Sequence, residues 1–140
     1  MRARILVVDD DEAYLAGVKE WLEAAGFEAI VANTFEAGKR ALRDFAPDLM
    51  LVDVRLGAFN GFQLLSTGQV QIPTIVVTGF DDLVLRADAD AFGATYVVKP
   101  VSPANLLELI EHKLAQGQVL PEPAAALENV QEPSRTPDAQ

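Results

Sequence analysis

The chain has 140 residues, 11 basic and 21 acidic side chains, a net charge of −10 and no cysteine, and half of its residues are hydrophobic. That fits one domain with a tail, and it excludes a disulfide scaffold, a cysteine zinc site, a thiol nucleophile and, with a single His, an imidazole-rich metal cluster. Any catalysis runs on carboxylates, and a pI near 4.4 disfavours autonomous binding to DNA or RNA, leaving proteins or cations as expected partners.

Arg2 and Arg4 make the start basic, but the apolar stretch behind them stops at Asp9, so the core of a signal peptide is missing. The longest apolar runs, such as Thr74 to Val77, fall far short of the roughly 20 residues that span a bilayer. A cytoplasmic chain without membrane insertion is expected.

Ile5 to Val8 predicts the first strand. Leu15, Val18, Leu22 and Ala25 then recur at helical spacing, and Gly26 ends that helix. Ala29 to Val31 predicts strand two, and Phe35, Gly38, Leu42 and Phe45 a second helix before Pro47. Leu49 to Val52 is strand three, followed by a short helix near Gly61 to Leu65, with only Ser66 to Ile72 before strand four at Thr74 to Val77. Asp82 to Phe92 is a further short helix and Tyr96 to Val98 strand five. Leu107, Ile110 and Leu114 mark the last helix, with Ser102 as N-cap and Pro103 at its first position.

Apolar runs this continuous suit parallel strands covered on both faces. The expected fold is therefore α/β, a doubly wound five-stranded parallel sheet in the flavodoxin-like order 2-1-3-4-5, over residues 1–116. From Gly117 to Gln140 lie four of the eight prolines, no aromatic residue and a net charge of −3, which predicts a disordered tail or linker.

Ligands bind such sheets beyond the carboxyl ends of the strands, where the strand order reverses. Strand one runs into Asp9, Asp10 and Asp11, strand three into Asp53, strand four into Thr78 and strand five into Lys99. Two carboxylates about 5 Å apart repel by roughly 3 kcal/mol at an effective dielectric near 20, so Asp9, Asp10 and Asp53 together demand positive charge. Lys99 offers one, and an all-oxygen cluster with room for water suits Mg²⁺. A carboxylate beside such a metal can attack a phosphoryl group to give an aspartyl phosphate. Asp53 stands alone on its strand end and fits that role, with Asp9 and Asp10 placed to hold metal and water and with Lys99 and Thr78 placed to bind the transferred oxygens. Taken singly, each residue has a plainer reading. Asp9 to Asp11 or Thr78 could cap a helix, Asp53 could be a turn residue, Lys99 a solvated cation, Tyr96 an ordinary strand aromatic, Trp21 packing and His112 a surface residue.

Val7-Val8-Asp9-Asp10, Asp53 with Gly61 eight residues on, Val77-Thr78-Gly79 and Tyr96-Val97-Val98-Lys99-Pro100 resemble the receiver domain of two-component response regulators, over about residues 3 to 116. The resemblance implies that Asp53 accepts a phosphoryl group from a histidine kinase or histidine phosphotransfer protein. It implies that Asp10, Asp53 and the backbone carbonyl of Arg55 bind Mg²⁺, with Asp9 acting through water, and that Lys99 pairs with the phosphoryl oxygens. It implies also that Thr78 swings toward them while Tyr96 rotates inward, and that the Lys99–Pro100 bond is cis. Many members of that family carry Pro four residues after the phosphoacceptor; Gly57 stands there, which predicts a more mobile loop.

Such a module is a signalling domain, not an enzyme with an external substrate. A nucleotide-binding enzyme is disfavoured, because carboxylates follow strand one where Gly-rich amides would hold pyrophosphate, and no P-loop occurs. A haloacid-dehalogenase-like phosphatase wants Asp where Arg55 stands. The alternative is a degenerate receiver, unphosphorylated and acting as a constitutive interaction domain. The first helix, with Tyr14, Val18 and Trp21, is the candidate phosphodonor surface, and helix four to helix five is the candidate output and homodimer face. No helix-turn-helix follows Gly117, so the downstream target is expected to be a protein.

Overall fold

Successive residues of a strand point to opposite faces of the sheet, so a run that is apolar throughout has to be covered twice. The computed structural model describes residues 2–56, 59–66 and 72–118 and shows how this is done. Strands β1 (Arg4–Val8), β2 (Glu28–Ala32), β3 (Leu49–Val52), β4 (Thr74–Thr78) and β5 (Thr95–Val98) pair in parallel in the order β2-β1-β3-β4-β5, the order expected from the sequence. On one face, Ile5, Val7, Leu51 and Val77 pack with helices α1 (Glu12–Ala24) and α5 (Pro103–Gln118). On the other, Leu6, Val8, Met50 and Val76 pack with α2 (Phe35–Asp44), α3 (Phe62–Ser66) and α4 (Leu83–Ala91).

The helix on Leu107, Ile110 and Leu114 exists, but its buried leucine is Leu106, with Ile110, while Leu107 is only half-buried. Both leucines stand at helical spacing from Ile110, and the rotation of α5 over the sheet decides between them.

Helix ends follow from local chemistry. Asp11 caps α1 by accepting the Tyr14 N–H, Thr34 caps α2 by accepting that of Ala37, and the Ser102 hydroxyl accepts that of Asn105. Ala25 closes α1, and Gly26 follows at φ 99°, a left-handed conformation that suits glycine. Asp82 accepts the N–H groups of both Val84 and Leu85. Asp82→Ala should therefore cost about 1 kcal/mol, read as a lower urea midpoint at unchanged slope.

The stretch after β3, read from the sequence as a loop, contains a small antiparallel ribbon in which Arg55–Leu56 pairs with Phe59–Asn60. Gly57, whose expected effect was a more mobile loop, lies outside the described residues, as do most of Ser66 to Ile72 and the expected tail beyond Gln118. No described helix is long and apolar enough to cross a membrane.

Candidate functional site

β1 lies between β2 and β3, so the chain departs to opposite sides of the sheet at the carboxyl ends of β1 and β3, and a crevice opens there. Asp9 and Asp53 each extend the ladder one residue beyond their strand, the Asp9 N–H donating to the Ala32 carbonyl at 3.1 Å and the Asp53 N–H to the Val8 carbonyl at 3.0 Å. The Lys99 N–H donates to the Thr78 carbonyl at 2.7 Å in the same way. Sheet hydrogen bonds, not loops, thus fix the backbone under three of the candidate residues.

The Lys99 ammonium bridges the two carboxylates, donating to Asp9 Oδ2 at 2.7 Å and to Asp53 Oδ2 at 3.3 Å. The other oxygens are held by the backbone: Asp9 Oδ1 accepts the Asp11 N–H at 3.0 Å and Asp53 Oδ1 the Arg55 N–H at 3.1 Å. Asp9 is 2% exposed and Asp53 9%. Burial pushes the Asp9 carboxyl above the usual carboxylate range, although the Lys99 hydrogen bond pulls it down. Burial alone would lower Lys99, but the hydrogen bond it donates to Asp9 and the charges of Asp9 and Asp53 outweigh it and hold the amine above its ordinary value.

The three consecutive aspartates serve three different ends. Asp9 is buried in the site, Asp10 is exposed beside it, and only Asp11 caps the helix. Thr78 is no cap either, since Asp82 fills that place on α4; it is wholly buried and its hydroxyl makes no hydrogen bond. A buried hydroxyl left unpaired costs free energy that an incoming acceptor oxygen would recover. Tyr96 is half-buried on β5, its hydroxyl donating to the Phe80 carbonyl, with the Arg86 guanidinium 4.8 Å above its ring. The Lys99–Pro100 bond is cis, as the resemblance implied.

Among the described residues, no three acidic or imidazole side chains gather as a metal centre, and Asp10 is not drawn in with Asp9 and Asp53. The donor chemistry nevertheless fits Mg²⁺, because two buried carboxylates share one ammonium and remain hard oxygen ligands short of positive charge, with Asp10 following Asp9 in the chain as a further oxygen donor at the exposed edge.

Two residues carry more than their sequence reading allowed. Gly61 was legible as part of a motif eight residues after Asp53, but a Cβ there would sit 2.2 Å from the Asp53 carbonyl oxygen, so its bareness lets two backbones pass. Tyr14, read as surface, places its ring 4.1 Å from the Lys99 ammonium. Nothing local signals that contact, since it depends on how α1 sits over the end of β5.

A family model described as "Response regulator receiver domain" matches residues 5–111. Among curated proteins, the chain is 32% identical over 123 residues to the photosynthetic apparatus regulatory protein RegA of Rhodobacter capsulatus, covering 85% of this chain and 65% of that one. It is 31% identical to the DNA-binding response regulator MtrA of Mycolicibacterium smegmatis, covering 91% of this chain and 56% of MtrA. The chain thus spans less than two thirds of the length of either relative. Among solved structures, a CheY-like response regulator receiver domain protein from Methanospirillum hungatei JF-1 superposes with a TM-score of 0.80 at 34% identity, covering 84% of this chain and 98% of that one. The non-phosphorylated HemR receiver domain of Leptospira biflexa superposes with a TM-score of 0.76 at 27% identity, covering 89% of this chain and all of that one.

Proposed function

The chain belongs to the response regulator receiver domain family, and from that premise we propose that Asp53 takes a phosphoryl group from a histidine kinase or histidine phosphotransfer protein and that the modified domain changes a protein-binding face. The single observation that supports this most is the Lys99 ammonium shared between the buried Asp9 and Asp53. Structural ion pairs rarely leave two buried carboxylates to one cation, because the residual charge is costly. A site that must hold a divalent cation keeps that imbalance for use.

An Asp53 carboxylate oxygen attacks phosphorus, the phosphorus–nitrogen bond of the phosphohistidine breaks, and its electron pair returns to the imidazole nitrogen. Lys99, already at Asp53 Oδ2, pairs with the arriving oxygens, and the unpaired Thr78 hydroxyl donates to one of them. Asp10, Asp53 and the Arg55 carbonyl would hold Mg²⁺, with Asp9 acting through water; the ion supplies positive charge against the phosphoryl oxygens.

The response passes from Thr78 to its strand neighbours. Tyr96 leaves the Phe80 carbonyl and turns inward, releasing the segment that leads into α4. There Phe80 is 42%, Leu83 82% and Val84 68% exposed, an apolar surface on an otherwise acidic domain and so a fit for a protein target. The same face, continued to α5, is the proposed dimer surface. The donor docks at the opposite flank, where a groove of about 270 Å³ is lined by Tyr14, Gly17, Val18, Trp21, Val101 and Pro103.

The test is incubation of the protein with acetyl phosphate and Mg²⁺ followed by intact mass. A gain of one phosphoryl group, abolished by a chelator, is expected; no gain here and none from a phosphotransfer protein would favour the degenerate, unphosphorylated reading. Thr78→Ala should separate uptake from response. Its mass gain should persist while the amide shifts of α4 on phosphorylation shrink several-fold, and undiminished shifts would remove Thr78 as the coupling element.

A further inference from the structure

An ammonium has three N–H bonds, and at Lys99 two of them go to Asp9 and Asp53. On the remaining side stands the ring of Tyr14, 4.1 Å from Nζ, well inside the range of about 6 Å over which a cation is drawn to an aromatic face. The ring is not there by loose contact. The Tyr14 N–H donates to Asp11 Oδ1, the Asp11 N–H donates to Asp9 Oδ1, and Asp9 Oδ2 accepts from Lys99, so four residues close a circuit of contacts around the ammonium.

We propose that Tyr14 is a positioning residue for Lys99, its ring confining the ammonium between Asp9 and Asp53 without binding it tightly. A third carboxylate in that place would hold the charge back from an incoming phosphoryl group, and water would let it wander. A ring face attracts a cation weakly and with little directional demand, so Lys99 stays in register and remains free to pivot toward new oxygens. In the reaction with a small donor Tyr14 acts through Lys99, the site side chain that its ring faces.

The proposal rests on phosphoryl transfer to Asp53 for its functional consequence, so the experiment reads contact and rate separately in the full chain. Tyr14→Phe keeps the ring and Tyr14→Leu removes it, and Tyr14→Met repeats the test should the Leu variant not fold. NMR of the Lys99 ε-methylene protons should show an upfield ring-current shift in the parent and in Tyr14→Phe that is absent in Tyr14→Leu. With acetyl phosphate and Mg²⁺, the maximal rate of Tyr14→Leu should fall about five- to tenfold, with the half-saturating donor concentration within about twofold of the parent and Tyr14→Phe near the parent in both. A Leu variant at the parental rate, or a Phe variant as slow as the Leu variant, would overturn the role. Failure of the parent itself to take up phosphate would count against the Asp53 reading; in that case equal Lys99 shifts in the Phe and Leu variants would reject the positioning, and a loss confined to the Leu variant would uphold it.

Discussion

Asp53→Asn is expected to abolish phosphoryl uptake, by more than about a hundredfold, while the protein stays folded. The amide matches the carboxylate in shape, and its oxygen can still accept the Arg55 N–H that now bonds Asp53 Oδ1 at 3.1 Å. What it lacks is a nucleophilic oxygen, since the amide's electron pairs are delocalised and it carries no charge. The substitution also leaves Lys99 facing one buried carboxylate, Asp9, in place of two, which relieves repulsion between them. Intact mass after acetyl phosphate and Mg²⁺ reads the first effect and circular dichroism the second. Persistent labelling in a folded variant would move the acceptor to another residue.

Gly61→Ala should lose about 3 kcal/mol of stability, the upper end of what one inserted methyl costs in a packed site. Its Cβ would fall 2.2 Å from the Asp53 carbonyl oxygen, 3.0 Å from the carbonyl carbon and 3.1 Å from a Val52 methyl. Backbone on both sides makes relief expensive, because the Gly61 N–H is bonded to the Val54 carbonyl at 2.6 Å and the Asp53 N–H to Val8 at 3.0 Å. Whatever yields moves Asp53, so the phosphorylation rate should fall with stability. Urea unfolding and the mass assay together check this; a loss under about 1 kcal/mol with an unchanged rate would show that the 53–61 segment gives way freely.

The strands were legible because burial on both faces writes itself as unbroken apolar runs, and Ile5 to Val8 or Leu49 to Val52 admit little else. The start of α5 was legible because one side chain, Ser102, does the capping, whereas Asp82 was read only as the first residue of its helix and its capping role was missed. The candidate site was legible in outline because adjacent strand ends must bring Asp9, Asp53, Thr78 and Lys99 to one edge. What sequence could not supply was distance: which of Asp9 to Asp11 turns inward, whether Leu106 or Leu107 faces the sheet, why residue 61 has to be bare, or that Tyr14 reaches Lys99. Each of these is set by how one element is rotated against another, and local pattern carries no record of it. The Arg55 to Asn60 ribbon was overlooked although a Gly-Ala pair at 57–58 stands between its two short arms, a composition that two-residue hairpins favour.

The division of the core into two layers also bears on how such a protein can change its associates. Val7 and Val8 are neighbours in the chain, yet one packs under α1 and α5 and the other under α2 to α4. The sheet between them works as a partition: side chains beneath α1 can be exchanged without disturbing the packing beneath α4, and the reverse. The two sides meet at the rim, where the Lys99 N–H rests on the Thr78 carbonyl. On the proposed surfaces, α1 for the donor and α4 for the target, specificity for each would be acquired separately, with the rim left as it is.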